Sequence, residues 1–146
     1  MLKKTLLITL FILIAIQFIR PDKTNPPIDK AIALNSSKDV MNILKNSCFD
    51  CHSYETKWPY YSEIAPVSFF VASHVKKGRK ALNFSEWKNI DKDIKKARLK
   101  RAIMTVNNGM MALPSYVSVH DNAELSKDEK STLIKWFEKE LEILDQ

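Results

Sequence analysis

Both cysteines of the chain fall within five residues, Cys48-Phe49-Asp50-Cys51-His52, and no other feature limits the possible folds as tightly. Two thiols three residues apart, with an imidazole beside the second, form the C-x-x-C-H arrangement for covalent attachment of a c-type haem. The spacing has a physical basis. At the end of a helix the two thiols reach the two vinyl groups of one porphyrin edge, while His52 is delivered beneath the iron as axial ligand. Other uses of these residues make demands the chain does not meet. A thioredoxin-type dithiol wants a βαβ context, and a zinc site needs a fourth soft ligand beside Cys48, Cys51 and His52. A disulfide between Cys48 and Cys51 would close too small a loop to stabilise much.

The remainder of the chain predicts an all-α fold. Glycine (2) and proline (6) are scarce among 146 residues, Leu, Ile and Lys are abundant, and Val-Thr alternation is rare, which disfavours a sandwich or barrel. With 45% hydrophobic and 27% charged residues, the composition is that of one globular domain. No G-x-G-x-x-G and no G-x-x-x-x-G-K-[ST] is present, so nucleotide chemistry is set aside. A domain of this size can enclose one haem, which would supply much of its core and leave the apo chain poorly folded.

The first twenty residues set the expected compartment. Lys3 and Lys4 precede an apolar run from Thr5 to Ile19, closed by Arg20-Pro21, the pattern of an export signal. Fifteen residues of helix rise about 22 Å against a hydrocarbon core of about 30 Å, a gap that snorkelling Lys and Arg can narrow. No small-x-small cleavage site follows, so an uncleaved anchor is favoured over a removed peptide. Lysines ahead of the run place the N-terminus in the cytoplasm and the domain on the periplasmic side. Haem attachment belongs to that same outer compartment. Beyond residue 20, 20 basic groups face 17 acidic ones, and the excess is concentrated. From Lys76 to Arg101 there are 11 Lys or Arg against Glu86, Asp91 and Asp93. This stretch is a solvated helix face or a docking surface for an acidic partner or anionic lipid. Nucleic acid is not expected as a partner outside the cytoplasm.

Residues 21–35, with Asn25-Pro26-Pro27, lack a helical period and read as a linker, so the haem domain is expected over 36–146. Ser36 or Ser37 caps a helix with Val40, Ile43 and Leu44 on one face, running into Cys48. Pro66 opens a second, in which Val67, Phe70, Val71 and His74 share an inward face, ending near Gly78. A third runs from Asp91 to Val106 with apolar Ile94, Ala97, Leu99, Ile103 and Val106, and stops at Asn107-Asn108-Gly109. Ser126-x-x-Glu129 is a capping box ahead of Leu133, Ile134, Phe137, Leu141 and Leu144, a helix expected to cross the first.

The iron's sixth position decides the chemistry. Met41 lies too close to the attachment turn to reach the opposite face, and Met104 sits within a helix where methionine is expected in the core. Met110 and Met111 follow Gly109 in an irregular loop, and only one can bind. Met111 is preferred because Pro114 stiffens the chain just beyond it. His74 is the alternative ligand, being an imidazole on an otherwise apolar stripe, and an open position is the third possibility. His120 reads as a loop residue. Methionine raises the potential, whereas an open site admits peroxide or gases.

The motif is embedded in a wider pattern. Cys48-Phe49-Asp50-Cys51-His52-Ser53, Thr56-x-Trp58-Pro59-Tyr60-Tyr61, Ile64-Ala65-Pro66-Val67-Ser68, His74-Val75-x-x-Gly78-Arg79 and Asn83-Phe84-Ser85-Glu86-Trp87 resemble the haem-binding domain family of small membrane-anchored C-x-x-C-H proteins. The similarity extends from Gln17-Phe18-Ile19-Arg20-Pro21 through Leu113-Pro114-Ser115-Tyr116 to Leu125-Ser126. The resemblance implies a monohaem, cytochrome c-like module, in some relatives found alongside di-haem peroxidase domains. One departure is that the family's loop usually reads Met-Pro, whereas here Ala112 follows Met111.

Around the haem, Trp58 and Arg79 are expected to donate hydrogen bonds to the propionates, and Phe69, Phe70, Tyr60 and Tyr61 to wall the porphyrin. Trp87 is expected in the core, after Ser85 as a helix cap. Together these features predict a periplasm-facing electron carrier, held to the inner membrane by residues 1–20 or exported if cleaved. It would carry one covalent haem c between His52 and Met111, and it would not be an enzyme. Its partners would be redox proteins, acidic ones or a di-haem peroxidase. The alternatives are an open-site haem protein with a peroxidase-associated or gas-sensing role and a haem subunit of a larger membrane complex.

Overall fold

Polar caps and apolar spacing set where the helices begin and which side they bury. The computed structural model describes residues 1–146, all helix, turn and irregular chain with no strand. Helix α1 spans Leu2–Ala15 and buries none of its residues. A tight 3-10 turn, Ile16–Phe18, prolongs it. No helix is long and apolar enough to cross a membrane.

Residues 21–35 are irregular, as expected of a linker, yet they lie against the domain rather than away from it. Gln17 pairs with Ala65 in both directions, its Nε2 donating to the Ala65 carbonyl (3.0 Å) and its Oε1 accepting from the Ala65 N–H (2.9 Å). Arg20 donates to the Glu63 carbonyl, and Lys23 forms an ion pair with Glu63. Asn25 donates to the Thr56 carbonyl. Further on, Leu34 N–H donates to Phe84 O and Lys88 N–H to Ile32 O, and Leu34 is buried in the core. The packed unit therefore begins before Ser36. The sequence misled here because backbone hydrogen bonds to irregular chain leave no periodicity to read.

Helix α2 (Lys38–Ser47) opens on Ser37, whose side chain accepts from the Val40 N–H, and it buries Val40, Ile43 and Leu44. The short α3 (Phe49–His52) follows directly. Helix α4 (Val67–Ala81) starts after Pro66 and continues past Gly78, which is a packing position and not a stop. Helix α5 (Lys92–Asn107) is capped by Asp91, and the chain leaves it through Gly109 at φ 68°, where a side chain would be strained. The short α6 (Pro114–Val117) precedes α7 (Lys127–Asp145), whose start carries the complete capping box of Ser126 and Glu129.

Leu44, Leu99 and Leu133, one each from α2, α5 and α7, are fully excluded from water and mark where these helices meet. Burial of side chains of this size stabilises by about 1.5–3 kcal/mol each. Helix α7 packs chiefly along α5 and more lightly on α2. Trp87 stacks on Trp136 (5.7 Å between centroids) and Phe49 on Phe84 (5.3 Å), tying the attachment turn to the same core. Three expectations change. Met104 is 51% exposed and not core. Ile94 is also exposed, because the α5 face that meets α7 runs through Leu99 and Val106. Asn83, not Ser85, caps the 3-10 stretch Phe84–Asn89, while the buried Ser85 hydroxyl accepts from the Tyr54 N–H.

Helix α4 stands apart from this core. It packs on α3 and the Tyr60–Glu63 turn, and the apolar cluster takes no residue from it. Its stripe of Val67, Phe70, Val71 and His74 faces a cavity instead. Periodicity identifies which side of a helix is apolar but not whether protein or cofactor is to cover it.

Candidate functional site

The attachment turn is held on every side. Cys48 breaks the helix between α2 and α3, and its carbonyl accepts from the N–H groups of Cys51 and His52. Phe49 is buried, and the Ser53 hydroxyl donates back to its carbonyl (2.8 Å). Asp50 accepts from the Lys57 N–H through one oxygen and from the Tyr116 hydroxyl through the other (2.5 Å). The Thr56 hydroxyl donates to the Asp50 carbonyl (2.7 Å). Burial and the neighbouring Asp50 carboxylate hold the Tyr116 hydroxyl well above its usual range, so it stays a donor.

Gly78 is where α4 crosses this turn. A Cβ there would lie 3.0 Å from both the carbonyl carbon and Cβ of Cys51, and closer still to its carbonyl oxygen. Only glycine lets the two backbones approach so far.

His52 is partly exposed as a whole residue, but its ring is set by one hydrogen bond, Nδ1–H donating to the Leu82 carbonyl at 3.0 Å. Burial lowers its pKa, opposed more weakly by the carbonyls of Leu82 and Gly78. Because the Leu82 carbonyl can only accept, Nδ1 carries a proton, and in the neutral ring the lone pair is on Nε2, the tautomer of an axial ligand. Cys48 and Cys51 are free thiols. Burial pushes Cys48 up to about 12, and burial with the Asp50 charge pushes Cys51 up to about 11. Neither carries the lowered pKa of a reactive redox dithiol. No group of three or more His, Cys, Asp or Glu side chains converges to hold a metal ion.

Three adjoining cavities surround the turn. One of about 310 Å³ is lined by Cys48, His52, Leu82, Phe84 and Met111, between the end of α4 and the near face of α5. A second, about 180 Å³, shares His52 and Met111 with it and adds Cys51, His74 and Gly78. The third, about 370 Å³, lies beyond Cys51 against Phe70, Val71, Tyr60 and Tyr61. The walls are mainly apolar in all three, as a flat hydrophobic cofactor requires.

Of the candidate sixth ligands, Met111 borders both cavities that His52 borders, and it packs against the core. Met110 is 47% exposed and borders none of the three. His74 meets His52 at the smaller cavity, and its Nδ1 bonds the Phe70 carbonyl (2.9 Å) in its own helix, which leaves Nε2 for a ligand. His120 stacks on Tyr116 and bonds its carbonyl, between α6 and the next turn.

The expected propionate partners lie elsewhere. Arg79 is fully engaged in a clasp, donating from Nε to Ser53 O, from one terminal nitrogen to Thr24 O, and from the other to Asn25 Oδ1 and Thr56 Oγ1. Trp58 has a buried Nε1–H without a partner, but the residue borders a separate cavity with Arg79 and Phe69. A helical period of 3.6 places Phe69, Ala72, Lys76 and Lys80 of that cavity on the side of α4 opposite His74. Arg79 thus ties the attachment turn to residues 24–25, and Phe69 lines the cavity of Trp58 and none of the three around the turn. The role of Gly78 had one trace in sequence, a glycine inside a helix of a chain that has only two. The Tyr116–Asp50 bond, 66 positions apart, left none.

Two thiols, an imidazole whose Nδ1 is committed to the Leu82 carbonyl, and apolar clefts on either side define a helical domain suited to a flat, largely hydrophobic iron cofactor. The haem-binding domain family matches residues 11–139, and the chain belongs to that family. No curated protein and no solved structure matches the chain.

Proposed function

We propose that this haem-binding chain is a monohaem c-type cytochrome that carries one electron at a time. Cys48 and Cys51 would hold the cofactor covalently, His52 Nε2 would be one axial ligand and Met111 the other. The observation that carries this is the convergence of Cys48, His52 and Met111 on one apolar cavity, with Cys51 on the cavity beside it. When bound, haem supplies an iron that cycles between ferrous and ferric states. The chain's own residues do the rest. The Leu82 carbonyl fixes the His52 tautomer and ring plane, Phe84 and Leu82 keep water from the His52 side, and the clasp of Arg79 holds the turn still.

Absorption and magnetic circular dichroism spectra of the haem-matured chain test the ligands. Loss of a methionine-to-ferric-iron charge-transfer band in Met111→Ala supports the His/Met carrier. A bis-histidine spectrum abolished by His74→Ala overturns it in favour of a low-potential carrier, a reading favoured by the free Nε2 of His74. A high-spin spectrum insensitive to both changes points to peroxidase or gas-binding chemistry. We further propose that the exposed, uncharged stretch of α1 associates with the inner membrane from the periplasmic side, which membrane fractionation tests. An acidic redox partner would dock through the Lys76–Arg101 region, with transfer rates that fall as salt rises.

A further inference from the structure

The larger cavity beside His52 has an uneven rim. Three cations border it, Lys77 from α4 and Arg98 and Arg101 from α5, and no Asp or Glu does. None of the three is in an ion pair. Other cations of the same stretch are spent: Lys95 lies over the Trp87 ring at 4.9 Å, Lys96 pairs with Asp145 at 2.6 Å, and Arg79 is clasped. Arg98, Arg101, Ala102 and Thr105 recur at i, i+3, i+4 and i+7, so one face of α5 presents two guanidinium groups above a small-residue wall. Lys77 and Ala81 repeat the pattern across the slot. An apolar slot with one cationic edge fits an amphipathic ligand that carries carboxylates at one end, since a carboxylate entering it unpaired would meet a large desolvation cost.

We infer that Lys77, Arg98 and Arg101 form the carboxylate-binding rim of the cofactor site and receive the two haem propionates. This rests on the haem c reading above. It moves the role away from Trp58 and Arg79, and it gives part of the basic Lys76–Arg101 stretch a duty inside the site. Cations paired with propionates near the iron disfavour the ferric state, so the rim raises the reduction potential.

The test is redox titration of the full haem-matured chain as wild type, as Lys77→Gln, Arg98→Gln and Arg101→Gln singly and together, and with Lys88→Gln and Lys92→Gln as exposed controls off the rim. The expected result is a stepwise downward shift of the midpoint with each rim charge removed, largest in the triple variant, with the axial-ligand spectrum unchanged and Arg98→Lys close to wild type. If the triple variant fails to mature, the single Arg101→Gln, on an exposed side chain, carries the test. A midpoint unmoved by rim substitutions, or moved equally by the controls, overturns the inference. So does a midpoint unmoved while transfer to an acidic partner slows, which would make these cations a docking surface. Absence of haem from the wild-type chain would instead sink the underlying cofactor reading, and a haem stain distinguishes that outcome.

Discussion

Replacing Gly78 with alanine should reverse the usual sign of that substitution. Within a helix, alanine is favoured over glycine by about 1 kcal/mol. At Gly78, however, the new methyl would stand 3.0 Å from the carbonyl carbon and Cβ of Cys51, and nearer to its oxygen, where ordinary contact begins near 3.4 Å. These atoms belong to the backbone and Cβ of the attachment turn, which the bonds of Asp50, Ser53 and Arg79 hold in place, so they cannot swing away as a long side chain would. Overpacking of this kind costs about 1–3 kcal/mol, and separating α3 from α4 also stretches the bond from His52 to Leu82. The net expectation is a loss of roughly 1–2 kcal/mol, or about 2–8 °C in Tm at this chain length. Thermal and guanidinium unfolding of the haem-matured chain measures it, with haem content and the axial-ligand spectrum as the second readout. Gly109→Ala is the comparison: it also destabilises, through its φ of 68°, but has nothing within 4 Å and should leave the spectrum alone. A Gly78→Ala protein as stable as wild type or more so, with an unchanged spectrum, would refute the close approach.

Arg79→Leu removes four hydrogen bonds that join the attachment turn to residues 24–25. It should cost about 2–3 kcal/mol, after discounting for a guanidinium that is partly in solvent, and leave the reduction potential near wild type; a large change in potential would return Arg79 to the cofactor. Ser126→Ala should cost about 1 kcal/mol at pH 7 by breaking the capping box. Glu129 has its pKa lowered by hydrogen bonds from Ser126, so the box contributes fully above the unfolded value near 4.5 and less as pH falls through the lower folded one. The penalty of Ser126→Ala should therefore shrink below pH 4.5, and denaturation curves at pH 7 and 3.5 give the comparison; a penalty independent of pH would contradict it. Gln17→Ala breaks both bonds to Ala65 and should speed proteolysis between residues 15 and 25, while an unchanged cleavage rate would mean that this contact does not hold α1 to the domain.

Local chemistry was legible in the sequence wherever residues close in the chain act together. Ser37 and Ser126 cap the helices they were expected to cap, and Val40, Ile43, Leu44, Leu99, Val106, Leu133 and Phe137 are buried. The thiols and imidazole of residues 48–52 are local for the same reason. Contacts across long separations were not legible. Arg79 looked like a propionate donor because a cation near a haem motif has that use, yet its nitrogens are taken by Thr24, Asn25, Ser53 and Thr56, up to 55 positions away. Pro26 and Pro27 suggested a free tether, whereas side chains of residues 17–25 and the backbone of residues 32–34 pin it down. The basic run was visible as charge, but which of its members border the His52 cavity depends on where α4 and α5 face each other.

The most direct test of the central claim is whether haem stays on the chain after denaturation. Full-length protein made in a host that matures c-type cytochromes should keep a haem-staining band in denaturing gels and give a pyridine haemochrome with two thioether bonds, at one haem per chain. Cys48→Ala and Cys51→Ala together should abolish both signals. Haem that is extracted from the wild-type chain by acidified acetone, or staining that survives loss of both cysteines, would contradict covalent attachment at Cys48 and Cys51.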